Sequence, residues 1–460
     1  MFHIFWFIES IYSLEGHTYG YSTNKIPRYA EDLDRGVVAT VNYAAKKYMA
    51  FISWRFLITD DDNIGFNVYR EEPSTDPSIP NTIIQLNSEP ITKVTYYIDN
   101  TIDRTKDYYF FIGSVISSQE VENSTKYFLK GNTPCIPCYK VPLKKGCTIR
   151  TVWPGDLNGD GKFDFVVARN CELNQKIEGY LSDGTFLWEI DLGHNSLNKN
   201  NIRPGPTTIN VGHWDGVNVY DLNGDGKAEV FIRIANNVTF GDGYVFLNEG
   251  HEEGYPYLDT DQWIACIDGM TGKLMAKSPV PRDFIEHGAM GCQMGIGYFD
   301  GVKPSLVTSL KNRDAKNNFH QIIATYSFHD STTFDIDWYW TKEPGQSCED
   351  GHHFRVADAN LDGKDEFHNI GYILHGNGTL KCDLGDSKIY HGDRFYVGRF
   401  NKDEKQMMGY GVQQNNKDKI TEYYYNADTC EVQWKHYSEE VMDNGRGDIG
   451  DFDPNTPGLE

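Results

Sequence analysis

Three copies of one acidic loop constrain this chain more than any other feature. They read GDLNGDGKFDFVVAR from Gly155, YDLNGDGKAEVFIRI from Tyr220 and ADANLDGKDEFHNIG from Ala357. Weaker copies are GYFDGVKPSLVTSL from Gly297, GRFNKDEKQMMGYG from Gly398 and GDFDPNTPGLE from Gly450. After several of them comes a second signature, a tight turn followed by a strand, as in SDGTFLWEIDLG from Ser182, IDGMTGKLMAKS from Ile267, NGTLKCDLG from Asn377 and NADTCEVQWKH from Asn426. A loop, a strand, a DG or NG hairpin turn and another strand make one β-sheet unit. The loop copies lie 42 to 79 residues apart. Blades of about 40 to 50 residues with insertions fit a β-propeller.

The loops themselves have the chemistry of a cation site. In DLNGDGKFD, Asp156, Asn158, Asp160 and Asp164 stand at loop positions 1, 3, 5 and 9. The second copy supplies Asp221, Asn223, Asp225 and Glu229, and the third Asp358, Asn360, Asp362 and Glu366. Odd spacing lets a curled loop turn each oxygen inward, and Gly161, Gly226 and Gly363 permit the tight bend. A hard, oxygen-loving cation suits such a donor set, so Ca2+ is the expected cofactor. EF-hand and dockerin readings require an acidic residue at position 12 and a helix after the loop. Position 12 is Val167, Ile232 or Asn369, and the residues around it read as strand. The expectation is calcium staples that fix blade turns without touching substrate.

The rest of the chain fits an all-β protein of two parts. Its 460 residues exceed one ordinary domain. Residues 27–117 read as β-branched and aromatic strands (AFISWRFLI, GFNVYREE, KVTYYID, DYYFFIGSV) separated by Asp, Asn, Pro and Ser clusters. Their number and spacing predict a small β-sandwich of the immunoglobulin or fibronectin type III kind. Residues 118–150 read as a connector, and 151–460 as the propeller. Residues 1–26 form a short apolar N-terminal segment with no preceding Lys or Arg, at best the remnant of a signal peptide. No apolar run is long enough to span a membrane. Sixty-six acidic against 43 basic residues, a net charge of −23, argue against a nucleic-acid binder. Sequons at Asn123, Asn237 and Asn377 tilt the compartment toward secretion. Nine Cys cannot all pair within one chain. For the CIPC pair, Cys135 and Cys138, a structural disulfide involving Cys147 is favoured over a zinc site. Trp338–Trp340 reads as blade packing rather than a sugar-stacking platform.

In these loops and the motifs around them the chain resembles polysaccharide lyase family eleven, the rhamnogalacturonan endolyases. RGVVATVNYAAKKYMAFISWRFLITDDDNIGFNVYR from Arg35 resembles that family's N-terminal β-domain opening. VNVYDLNGDGKAEVFIR, DGVKPSLV, VADANLDGKDE, HGDRFYVG and GRGDIGDFDPNTPGLE fall in the family's order. The likeness covers roughly residues 27–460. It implies an eight-bladed propeller, incomplete in this chain, that cleaves the rhamnose-to-galacturonate bond of rhamnogalacturonan I, a pectic polysaccharide, by β-elimination. It implies a secreted protein. It also implies that His352 in GHHFRVAD, with His391 and Asp393 in YHGDRF, holds a central Ca2+, and that Arg446 in NGRGD clamps a uronate carboxylate as the catalytic arginine.

The chain departs from that pattern in three places. The next expected acidic ligand falls on Gln414, whose neutral amide is the weaker calcium ligand. The family's long insertion after the first loop is shortened to ARNCELNQKIEG. The NGTK segment that would carry a catalytic lysine has no counterpart before Glu460. Two competing readings follow: a pectin-binding propeller module without catalysis, and an integrin-like adhesion propeller, which leaves the HGD and GRG motifs unexplained.

Overall fold

The structure, a computed structural model, describes residues 28–453 except 58–59, 62, 198–201, 203–208, 248–261, 402–404, 442 and 451, and also residue 459. The expected N-terminal segment 1–26 and most of the last loop copy lie outside the described residues. Among the described residues there is no α-helix, only strands and three short 3-10 turns.

Alternating apolar residues build the N-terminal part. Val38–Ala44, Lys47–Ser53 and Tyr96–Asp99 form a three-stranded sheet. Thr82–Gln85, Gly65–Glu72, Tyr108–Ile116 and Gln119–Asn123 form a second, with Tyr127–Leu129 also paired to Tyr108–Ile116. Ala39, Val41, Ala50 and Ile52 of the first sheet meet Phe66, Val68, Phe110 and Ile112 of the second in one buried core. In each strand these are every second residue, as a strand with one buried face demands. The second sheet continues to Leu129, so the connector expected at 118–150 starts about a dozen residues too early. Gln119–Asn123 is solvent-exposed at every position, which is why it read as a loop.

Five four-stranded antiparallel sheets follow, each running in simple chain order. Sheet I is Thr148–Gly155, Asp164–Asn170, Gln175–Tyr180 and Phe186–Asp191. Sheet II is Val217–Tyr220, Glu229–Ile234, Trp263–Ile267 and Leu274–Pro279. Sheet III is Gly291–Gly297, Ser305–Arg313, Phe319–Phe328 and Phe334–Thr341. Sheet IV is Arg355–Ala357, Glu366–His368, Tyr372–Leu374 and Leu380–Asp383. Sheet V is Phe395–Gly398, Met408–Val412, Ile420–Asn426 and Val432–Tyr437.

Each sheet is buried on the faces it shares with its neighbours, so its second strand is buried at nearly every position, while the fourth strands are exposed or half-buried at most positions. Val230 and Ile232 pack toward sheet I, while Phe231 between them packs toward sheet III. Leu306 and Leu310 likewise face sheet II, and Val307 faces sheet IV. Ile373 of sheet IV meets Phe395, Tyr423 and Tyr425 of sheet V. The first strands of consecutive sheets touch one another. Their approach is close enough that a Cβ on Gly155 would sit 2.2 Å from Val219 Cγ1. A disulfide between Cys382 and Cys430 joins sheets IV and V.

Cys147 pairs with Cys171 across the start of sheet I, not with Cys135 or Cys138, which are both free. The two partners flank adjacent antiparallel strands, a proximity that CIPC lacks. Trp340 packs on Tyr372 at 4.9 Å and Trp338 edge-on against Phe299, whereas Tyr339 between them points to solvent.

Candidate functional site

In a four-stranded meander, the turn after the first strand and the turn after the third lie at one end, and the residues leading into the first strand lie at the other. All three acidic loops join first to second strands. They therefore share one end of the sheets, here the loop end. His352 precedes the first strand of sheet IV, His391 and Asp393 precede that of sheet V, and Arg446 follows the last strand of sheet V. These four belong to the opposite, far end.

At the loop end, each first aspartate is held by backbone N–H groups. Asp156 accepts from Gly159 and Gly161 at 2.8 and 2.6 Å, Asp221 from Gly224 and Gly226 at 2.7 and 2.8 Å, and Asp358 from Gly363 at 2.8 Å. Asn158, Asn223 and Asn360 each accept from the amide of the next aspartate, and Asp160, Asp225 and Asp362 from the following lysine. Asp164, Glu229 and Glu366 close the curl by accepting from Leu157, Leu222 and Ala359. Burial pushes Asp164 and Glu366 up to about 7 and Glu229 up to about 8, with neighbouring acids adding to the rise. Oxygen donors crowded in this way are stabilised as anions by a cation among them. Among the described residues, one group of three such side chains converges to within 4.8 Å: Asp221, Asp225 and Glu229 of the second loop. The donor set of the second loop therefore fits a hard cation, and the first and third loops carry the same residue types outside that spacing.

A stretch of seven residues, 28–34, crosses this loop end. Arg28 binds Gly363 O and Asp365 at the third loop, the Tyr29 amide binds Val302 O, Glu31 accepts from the Asp221 amide, and the Asp34 amide binds Gly161 O. Arg55 adds a bond to Gly161 O and stacks on Phe163 at 3.8 Å. One short strap thus touches four consecutive sheets.

At the far end the structure links the four expected residues through pairwise contacts, although among the described residues the ligand atoms of His352, His391 and Asp393 do not draw into a group as tight as that of the second loop. His352 Nε2 lies 3.3 Å from Asp393 Oδ1, and Arg446 Nε lies 3.7 Å from Asp393 Oδ2. The His352 and His391 rings meet edge-on at 4.9 Å. His391 Nδ1 sits 2.5 Å from the Asp350 carbonyl. A carbonyl only accepts, so Nδ1 carries a proton, and in the neutral ring Nε2 is then the nitrogen with the lone pair. That is how a metal-ligating histidine is held. Burial holds His352 below the usual imidazole range, helped by Lys311 and His391, which favours its neutral, ligating form. Arg446 is largely exposed, at 73%, so its guanidinium is open to an incoming anion. Gln414 donates its backbone N–H to His391 O and forms a β-bridge with Asp443.

Several residues of this end escaped the sequence reading. Lys311, at the end of the second strand of sheet III, is buried against Asp350 at 2.9 Å. Asp215 forms a buried two-point pair with Arg233 at 2.7 and 2.9 Å. Trp214 lies 6.5 Å from the His352 ring, and Gln293 donates to His352 O. A positional signal existed. HWDG, EDGHH and YHGD each stand just before a first strand, at the same place in sheets II, IV and V.

Comparisons with known proteins match both parts of the chain. Residues 151–460 match the family model described as "Rhamnogalacturonan lyase family 11, C-terminal domain", and residues 28–128 the one described as "Rhamnogalacturonan I lyases beta-sheet domain". The rhamnogalacturonan endolyase YesW of Bacillus subtilis (strain 168) is 28% identical over 477 aligned residues, covering 94% of this chain and 69% of the relative. The exolyase YesX of the same organism is 27% identical, covering 94% and 70%. The crystal structure of exotype YesX superposes with a TM-score of 0.73 at 25% identity, covering 94% of this chain and 71% of the other. A Bacillus licheniformis rhamnogalacturonan lyase gives 0.74 at 24% identity, covering 94% and 73%.

Proposed function

The chain belongs to rhamnogalacturonan lyase family 11, and from that premise we propose that it acts on rhamnogalacturonan I at the far end of its sheets, cleaving the rhamnose-to-galacturonate bond by β-elimination. In this reading the five sheets are successive blades of a β-propeller. The N-terminal part is a β-sandwich of the immunoglobulin or fibronectin kind, and the protein works outside the cell. The single observation that carries the proposal is the convergence of His352, His391, Asp393 and Arg446 from separate sheets and loops on one far-end cluster.

Each residue has a part that its geometry supports. Arg446, exposed and anchored by Asp393, clamps the galacturonate carboxylate. His352, His391 and Asp393 would hold Ca2+, with His391 offering Nε2. When bound, the cation supplies charge withdrawal at the carboxylate, which makes the neighbouring C5 proton more acidic. In the elimination the C5–H bond breaks to a base, the C4–O bond breaks toward the leaving sugar, and a C4–C5 double bond forms. The acidic loops at the loop end would hold structural Ca2+ and fix the blade turns. Ca2+ also reconciles a chain of net charge −23 with an acidic polymer.

A second reading, binding without cleavage, is favoured by one observation. Lys311, a lysine adjoining this cluster, is buried and committed to Asp350, which leaves it unfit as the base. The experiment that separates the readings follows the ultraviolet absorbance of the unsaturated uronate product from rhamnogalacturonan I, with Ca2+ and with chelator. Calcium-dependent product supports the lyase. Retained binding without product supports the module. Neither binding nor product overturns the proposal.

A further inference from the structure

The far-end histidines do not hold themselves. His391 Nδ1 is fixed by the Asp350 carbonyl at 2.5 Å, and the His352 amide donates to Gly392 O, in the residue after His391. What fixes Asp350 lies in another sheet. Lys311 Nζ donates to Asp350 Oδ2 at 2.9 Å and to Gly351 O at 3.1 Å. Asn369 closes the other side, donating to Asp350 Oδ1 at 3.0 Å and accepting from the Gly351 amide at 3.0 Å. Lys311 is 3% exposed and Asp350 5%, so the pair is sheltered from water and salt. The Trp214 ring lies 5.4 Å from Lys311 Nζ and 6.5 Å from the His352 ring.

We propose that Lys311 and Asp350 are positioning residues for the histidine site. The buried pair locks the backbone from Asp350 to His352 so that its carbonyl selects the Nδ1–H form of His391 and leaves Nε2 as the nitrogen that would meet a cation. The inference rests on the far-end reading given above and extends it to a pair two sheets deep.

A purely structural role is the competing account, and the fold itself raises it. Buried cations recur near the ends of second strands, Arg169 with Glu178 in sheet I and Arg233 with Asp215 in sheet II. Lys311 differs in what its partner does. The peptide carbonyl of Asp350 is the group that receives the His391 proton.

The first test uses the unmodified protein, with 15N-labelled histidine and NMR. The expected result is a His391 signal of the Nδ1–H tautomer, protected from solvent exchange. An Nε2–H tautomer overturns the proposal without any variant. The second test is the double variant K311M/D350N, which removes both buried charges and keeps Asn at 350 to meet Asn369. Calcium affinity is measured by calorimetry, alongside the His391 signal and the thermal midpoint. The expected result is loss of the single tautomer and roughly a 10- to 100-fold weaker far-end calcium site, with the chelator response of the loop sites retained. Unchanged tautomer and affinity, with altered stability alone, overturns the proposal in favour of a structural pair. If the wild type shows the Nδ1–H form but binds neither calcium at this end nor rhamnogalacturonan, the site reading fails and the positioning of His391 survives. Asn369→Ala, which loosens Asp350 without removing a charge, gives the same tautomer readout should the double variant not fold.

Discussion

Replacing Arg28 by Met is the sharpest perturbation of the strap across the loop end. Arg28 Nη2 lies 3.0 Å from Asp365 Oδ1, with side-chain exposures of 13% and 9%, and its guanidinium sits 4.7 Å from the Tyr298 ring. Breaking a buried pair from one side costs about 3–5 kcal/mol, because the remaining charge stays desolvated. Asp365 keeps the Tyr298 amide at 2.7 Å, and Met keeps the apolar contact with the ring, so the lower bound of about 3 kcal/mol applies. Replacing Asp365 by Asn in the same chain removes the stranded charge, so the double variant recovers most of the loss. Urea unfolding of the single and double variants measures this coupling. Hydrogen exchange of the Tyr29 amide, bonded to Val302 O, reports the strap locally and accelerates by roughly 100-fold for about 3 kcal/mol. A loss below about 0.5 kcal/mol, the size of an ordinary surface substitution, with unchanged exchange at Tyr29, would refute the view that this segment clasps the loops.

Three further outcomes are expected. His368 is fully buried and burial pushes its imidazole down to about 3, below the 6.5 of an exposed histidine. The folded state therefore binds fewer protons, and the stability is complete above pH 6.5 and is lost as pH falls toward 3. The loss by pH 5 is about 2 kcal/mol at 1.36 kcal/mol per pH unit, and His368→Leu flattens this limb in urea titrations. Chelation lowers the thermal midpoint and added Ca2+ restores it, while Glu229→Gln, by weakening the second loop, shrinks that difference in calorimetric scans. Arg446→Ala leaves the midpoint nearly unchanged, because its side chain is 73% exposed. It lowers turnover of rhamnogalacturonan I by roughly 100-fold or more, as expected for a group that stabilises developing charge.

What was legible in the sequence was local. The acidic loops bond within themselves over four or five residues, as in Asp156 to Gly161, so their geometry is written in their spacing. The DG and NG turns are equally local and fall between third and fourth strands in sheets I, II and IV. First strands were harder to see. That of sheet IV is three residues long, Arg355–Ala357, and that of sheet I ends on Gly155, where close packing on Val219 leaves no room for a side chain. His352, His391 and Asp393 were found by resemblance. Lys311 and Asp350 were not, because their pairing joins positions 39 residues apart through a sheet-to-sheet contact that no local pattern records. The strap was invisible for the same reason. Arg28 meets Asp365 across 337 residues.

The central claim is that rhamnogalacturonan is handled at the far end through His391, Asp393 and Arg446. Calorimetric titration of rhamnogalacturonan I oligosaccharides into the wild type and into Asp393→Ala, both with Ca2+ present, tests it most directly. The account predicts binding by the wild type that chelator abolishes and that Asp393→Ala weakens by at least tenfold. Equal affinity in both proteins, or binding indifferent to Ca2+, contradicts it.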